Sequence, residues 1–349
     1  MSLLFCDGFD TGDYLSKWSS YTVSGTPTTT PSTSSPFSAG KSLNFAGTAN
    51  GQWSRLSQTI PAVVTVYIGF AINVMVRPSG SNGDQAVLHL LGDGGTTSHV
   101  ELWIPISGPF QWRRGGNATP LGSFTTPMAN NQWYYVEARI TISDTIGEIT
   151  WRVDGNVDGS LTNIDTKNAG TNTSFDTVQI GWTTSTGSGT PGTMLIDDFY
   201  VADTSGSRNN SFLGPIRIQT LSPNAAGSDT GLTPTAGSNY QNVSDQNASS
   251  YNYSAVVGTR DSYNLPDLAV GTSAVLAVRN VVTGQNSDAG AGGFKPVVRS
   301  GGTIYYDPTV TVGATSKVYS QAVRETDPAT SAAWTVAGVN ALQVGAEVS

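Results

Sequence analysis

The sequence predicts an all-β protein. Short runs of alternating apolar and polar residues, bounded by Gly, Pro, Asn and Asp, recur along its whole length, which is the strand-and-turn pattern of sandwiches and barrels. Charged residues make up only 12%, against about 25% in an ordinary globular domain, so long charged helices are excluded. With 8 Trp, 13 Tyr and 11 Phe among 349 residues, the chain has enough large apolar side chains to build a core.

In the first half, strands are expected at Ser42–Phe45, Ser54–Thr59, Tyr67–Arg77, Ala86–Leu91, Val100–Ile106, Trp133–Ile142, Gly147–Val153, Thr177–Trp182 and Met194–Val201. The Thr- and Pro-rich run 22–40 resembles a mucin-like stalk by composition, but because it sits inside the first domain it reads as an extended edge segment. Residues 202–215, ADTSGSRNNSFLGP, are polar and rich in Gly, Ser and Asn before a fresh alternating run, Ile216–Leu221. This shift places a first domain at 1–203, a linker at 204–214 and a second, smaller β-domain at 215–349. Strands in the second domain are expected at Ala274–Val282, Pro296–Arg299, Thr303–Asp307, Lys317–Glu325 and Leu342–Val348, with a turn or two of helix in 332–340. The run 222–253 has few apolar anchors and suits a surface wrap or a subunit contact.

Charge and composition narrow the function. A net charge of −8 and a pI near 4.6 argue against nucleic acid, whose binding runs on Lys and Arg. No export signal is expected from the first ten residues, and no run of apolar residues is long enough for membrane insertion. The one cysteine, Cys6, leaves no disulfide framework and reads as a small buried hydrophobe. With only two histidines, His89 and His99, neither a histidine triad nor a multi-histidine metal site is expected.

Three stretches carry a family resemblance: the opening LLFCDGFD, the hairpin WYYVEARITIS…GEITWRVDG at 133–155, and the closing IDDFYV at 196–201. On these, residues 1–203 resemble the concanavalin A-like, laminin-G-type jelly roll. The stretches 217–245 and 318–348 are similar to virion proteins of tailed bacteriophages. The resemblance implies a structural protein of the virion, a tail, neck or fibre component or else a capsid decoration protein, assembled in the bacterial cytoplasm. Its implied partners are other virion proteins, further copies of itself (a trimer, by likeness to fibres) and a host-surface glycan. A free lectin-like carbohydrate-binding module is the alternative from another class.

Two groups of residues are candidates for chemistry. On the closing run Asp197 alternates onto the face of Leu195, Phe199 and Val201, and Asp7 onto that of Leu3, Phe5 and Phe9; a carboxylate on an apolar face must be paired or bound. The family resemblance implies that Asp7, Asp10, Asp197 and Asp198 could hold a structural calcium ion, which takes 6–8 oxygen ligands. Carboxylates tying down backbone N–H groups are the other reading. His99, Glu101 and Trp103 share the polar face of one run, and Trp112 beside Arg113 stands in a Gly-bounded stretch. Aromatic rings flanked by polar groups suit a sugar, but they equally suit a half-exposed strand or a subunit contact, which is the plainer reading. No paired carboxylates, Gly-x-Ser-x-Gly or phosphate loop occurs, so no enzyme is expected.

Overall fold

Alternation places every second side chain of these runs in a shared core, and the remainder follows from pairing. The computed structural model describes residues 1–36, 40–80, 83–115, 119–185, 189–245, 247, 249–288, 290–313 and 318–349. They fall into two units, 1–218 and 219–349.

The first unit contains β1 (Leu3–Asp7), β2 (Ser20–Ser24), β3 (Thr28–Ser32), β4 (Ser42–Gly47), β5 (Trp53–Val63), β6 (Thr65–Val76), β7 (Gln85–Gly92), β8 (Thr97–Ile104), β9 (Gln111–Arg114), β10 (Pro120–Ser123), β11 (Trp133–Thr141), β12 (Gly147–Val153), β13 (Asn156–Ile164), β14 (Phe175–Ser185) and β15 (Gly192–Asp203). One sheet runs β13-β12-β11-β6-β15-β4-β3, with β1 also on β15; the other runs β10-β9-β8-β7-β14-β5-β2. All pairings are antiparallel. The fold is the expected jelly-roll sandwich. Val66, Ile68, Phe70, Ile72, Val136, Ile140 and Trp151 from one sheet join Leu56, Leu88, Leu90, Val100, Leu102, Trp112, Ile180 and Trp182 from the other in one buried cluster.

Local chemistry fixes the register. Asp154 and Gly155 both have positive φ, 51° and 80°, the two-residue turn that suits the twist of a hairpin, and it joins β12 to β13. The Thr- and Pro-rich run supplies β3, at the edge of its sheet as expected. In β15 the register shifts between Asp197 and Tyr200, with Asp198 at φ 49°. This bulge corrects the sequence reading of the closing strand: it sends Phe199 and Val201 into the core with Ile196 and leaves Asp197 on the outer face.

The expected linker is not a free tether. Gly206 N donates to Ser2 Oγ (2.9 Å), Gly214 N to Glu137 Oε1 (2.9 Å) and Ile218 N to Asp198 Oδ1 (2.6 Å). Phe212 meets Tyr67 edge-on and lies under the Arg152 guanidinium at 4.0 Å. The alternating run Ile216–Leu221 forms no strand, because these bonds reach side chains rather than a neighbouring ladder.

The second unit contains β16 (Ala225–Thr230), β17 (Thr233–Pro234), α1 (Asn239–Ser244), β18 (Asn252–Tyr253), β19 (Arg260–Asn264), β20 (Val278–Gly284), β21 (Gly292–Ser300), β22 (Thr303–Tyr306), β23 (Val310–Val312), β24 (Val318–Arg324), α2 (Val336–Asn340) and β25 (Gln343–Val348). Its main sheet runs β16-β19-β25-β21-β22, with β23 also on β21, and two ribbons, β17-β18 and β20-β24, stand beside it. Val298, Trp334, Val339 and Leu342 form its buried cluster. The Thr335 hydroxyl caps α2 through Gly338 N.

Candidate functional site

Strand pairing aligns polar side chains across the outer face of the seven-stranded sheet. Ser57 of β5 lies opposite Gln179 of β14, Gln179 opposite His89 of β7, His89 opposite Glu101 of β8, and Glu101 opposite Arg113 of β9. Their neighbours in sequence, Leu56, Val178, Ile180, Leu88, Leu90, Val100, Leu102 and Trp112, take the core, so the row occupies the outer face by the period of two. The row is deeply set: Gln179 is 6% exposed, His89 6%, Glu101 4% and Arg113 6%.

Trp103 Nε1 donates to Glu101 Oε2 at 2.7 Å, and the other Glu101 oxygen lies 3.8 Å from His89 Nε2. Arg113 stacks over the Trp103 ring at 4.5 Å and binds Asp84 Oδ2 and Gln111 Oε1, both at 2.7 Å. At the far side of the face Arg55 lies over the half-buried Trp53 at 4.6 Å and donates to Thr22 Oγ1 and the Thr183 carbonyl. Two atoms in the middle, His89 Nε2 and Gln179 Oε1, are buried with no hydrogen-bond partner among the described residues. Burial pulls the His89 pKa down to about 4, with Glu101 opposing and Arg55 reinforcing the shift, so its imidazole is neutral at pH 7.

The structure corrects the reading of the five contact candidates as a half-exposed strand and loop. Glu101, Trp103 and Arg113 do come together, but Trp103 is only 3% exposed and its face is taken by Arg113. Trp112 stands on β9, not in a loop; its ring is fully buried against Phe124. His99 is fully buried, accepting from Asn168 N through Nδ1 and edge-on to Phe175, and burial lowers its pKa. Sequence reading missed His89, Gln179, Arg55 and Asp84. The signal for His89 was present in the β7–β8 hairpin, whose pairing about the 93–96 turn sets it opposite Glu101.

The four aspartates implied as calcium ligands do not form one ligand set. Asp7 is taken: it accepts from Lys17 Nζ (2.5 Å), Trp18 Nε1 (2.9 Å) and Phe9 N (3.1 Å). Asp10 accepts from Lys41 N, and Asp197 from Ser35 Oγ and Asp198 N. Among the described residues no group of three or more His, Cys, Asp or Glu is arranged to hold a metal ion. The hydrogen bonds given above for these carboxylates come from backbone and side-chain donors.

Burial, then the neighbouring Asp198, raises the Asp197 pKa to about 9; burial and then Asp10 raise Asp198 to about 7, against the Ile218 amide. A carboxyl whose folded-state pKa exceeds its unfolded value of about 3.9 stabilises the fold below that value. The contribution is lost as pH rises through the folded-state pKa. His89 works in the opposite sense, but above about pH 6.5 histidine is neutral in the unfolded chain too. The melting temperature of the first unit should therefore fall between about pH 6.5 and 9. In Asp197→Asn, which keeps an oxygen for the Asp198 amide but cannot ionise, a thermal melt series over that range should show a shallower fall. An equal slope in the two proteins would place the pH dependence elsewhere.

No family model and no curated protein matches this chain. Solved structures similar to it include an endo-β-1,4-glucuronan lyase from the fungus Trichoderma reesei (14% identity, TM-score 0.40, 55% of this chain and 94% of that one). A cellulose-induced protein (16%, 0.44, 60% and 100%) and a carbohydrate esterase from a Shiga toxin-encoding bacteriophage (16%, 0.35, 55% and 90%) are others. This finding corrects the expectation that the chain is no enzyme, since lyases and an esterase are among the similar structures. That expectation treated Glu101 as isolated and set both histidines aside, whereas the fold puts His89 beside Glu101.

Proposed function

We propose that the outer face of the seven-stranded sheet contacts carbohydrate. The observation that carries this reading is the pair of buried, unpartnered acceptor-capable atoms, His89 Nε2 and Gln179 Oε1, side by side in the middle of a polar row. Leaving a buried polar atom unsatisfied costs about 1–3 kcal/mol, and such atoms call for an explanation such as a missing ligand or water. Sugar hydroxyls both donate and accept, so they meet this demand without bringing a charge. The row crosses five strands from β9 to β5, about 19 Å at about 4.8 Å per strand, long enough for several linked sugar rings. Arginine over indole at each side, Arg113 on Trp103 and Arg55 on Trp53, supplies donors and apolar ring surface together.

We place this face on a tailed-phage particle, as a multi-copy tail, neck or fibre component meeting a host-surface glycan, with capsid decoration as the competing position. The support is the resemblance of 217–245 and 318–348 to such virion proteins. A second reading is favoured by one observation: the neutral imidazole of His89, 3.8 Å from a carboxylate, is equipped to move a proton on a bound sugar.

A panel of bacterial surface polysaccharides tests both readings. Gln179→Ala should weaken binding about 10-fold, the equivalent of one hydrogen bond of about 1.4 kcal/mol, with the melting temperature preserved or raised. His89→Ala should abolish any sugar cleavage that the wild type shows. No binding to any glycan, or binding that Gln179→Ala leaves intact, overturns the assignment of the face.

A further inference from the structure

We propose that the glycan received by the outer face of the seven-stranded sheet carries a carboxylate, and that Arg55 is the residue that reads it. The inference rests on the glycan reading and names the class of sugar. Arg55 stands on β5 at one end of the polar row, two residues before Ser57 on the same face. Its guanidinium is half-buried and has no ion-pair partner, although the chain carries 25 acidic residues against 17 basic ones and all 25 lie among the described residues. Burial lowers the Arg55 pKa with no acid opposing the shift. Arg113, at the other end of the row, also lies over an indole but is paired with Asp84. Arg77 lacks an acid too, but the carbonyls of Pro105, Gly108 and Met128 take both of its terminal nitrogens. Arg55 keeps a free donor: Nε goes to Thr22 Oγ1 (3.1 Å) and Nη1 to the Thr183 carbonyl (3.1 Å), while Nη2 bonds to none of the described residues.

The strand pairing leaves this cation accessible to a ligand. Its partner on β14 is Gly181, which places no side chain beside the guanidinium, and its partner on the edge strand β2 is Thr22. A partly desolvated cation without a counter-charge is costly. A planar carboxylate matches the guanidinium fork, and a hydrogen bond between two charged groups is about twice as strong as one between neutral groups. The acid that could repel such a ligand stands apart: Glu101 lies three strands from β5 in the order β8-β7-β14-β5, about 14 Å at about 4.8 Å per strand, beyond the screening length of about 8 Å at physiological salt. Gln179, opposite Ser57, is the diagonal neighbour of Arg55. A sugar with its carboxylate on Arg55 therefore extends its hydroxyls along the row toward Gln179 Oε1 and His89 Nε2. A neutral sugar satisfies those two atoms and leaves Arg55 uncompensated, whereas a carboxylated one satisfies all three.

Calorimetric titration of the full chain with the acidic members of the polysaccharide panel, and with the same polymers after their carboxyl groups are reduced to alcohols, tests it. A carboxylated polymer should bind, and its reduced form should bind about 30-fold more weakly, the loss expected for one hydrogen bond between charged groups. Arg55→Gln should remove most of the difference between the two forms. Arg55→Lys, which keeps the charge but not the fork, should restore part of it. Reduction alters the ligand alone, so that comparison holds even where a variant folds poorly. Equal affinity for the two forms, with Gln179→Ala weakening both, overturns the carboxylate and leaves the glycan reading standing. A difference that Arg55→Gln leaves intact overturns the role of Arg55. Tighter binding of dextran sulfate than of any carboxylated polymer, lost in Arg55→Gln, assigns Arg55 to a sulfate ester and also overturns the proposal. No binding of either form of any polymer overturns both readings together.

Discussion

Replacing Asp7 by Ala should destabilise the first unit by about 3–5 kcal/mol, the cost of stranding one partner of a buried ion pair. Lys17 is 6% exposed and Trp18 4%, and the Asp7 carboxylate holds both, with the Phe9 amide. Trp18 in turn packs against Phe5, Phe9 and Phe199, so losing its anchor loosens the seam where β1 meets β15. Denaturant unfolding followed by tryptophan fluorescence should show a lower midpoint with an unchanged slope. A shift under about 1 kcal/mol would mean that Lys17 escapes to solvent and that the pair is a surface contact.

Asp261→Ala should have the next largest effect, confined to the second unit. Asp261 is fully buried and accepts from Leu232 N, Asn239 Nδ2 and the Tyr263 hydroxyl. Each hydrogen bond to a charged group contributes about 1.5–3 kcal/mol, and each abandoned donor carries its own penalty, so a loss of at least about 3 kcal/mol is expected. Hydrogen exchange should rise through 225–264 and 343–348, while amides of β6, β11 and β14 keep their protection. Equal loss of protection in the first unit would contradict a local role.

The strands that sequence alone locates are those whose alternation is strong and whose turn is specific. β12 is legible to the residue because Ile149, Trp151 and Val153 alternate cleanly up to Asp154-Gly155. The short strands β9 and β10 and the polar β13 are not, since Gln-Trp-Arg-Arg or Pro-Leu-Gly-Ser carries too few apolar positions to show a period. Asp197 is misassigned for another reason: a bulge flips the parity of everything beyond it, and only pairing with β6 reveals one. The candidate site is half legible. Glu101 and Trp103 share a strand, so their common face can be read, whereas Gln179 lies 78 positions beyond Glu101 in the chain and joins the row only through the order β8-β7-β14. Burial is not legible at all, because a polar face reads the same whether water or an arginine covers it. The run 204–214 looks like a linker because its bonds are made by backbone amides, Gly206 and Gly214 among them, which composition does not report.

On the proposed reading, polar groups on the outer face of the seven-stranded sheet receive a sugar. A crystal structure of the protein soaked with the oligosaccharide that binds best in the polysaccharide panel tests this most directly. Sugar hydroxyls are expected within hydrogen-bond distance of His89 Nε2 and Gln179 Oε1, between Arg55 and Arg113, with Arg113 moved off the Trp103 ring. Sugar bound at another surface, with Arg113 still stacked on Trp103 and both central atoms untouched, would contradict it.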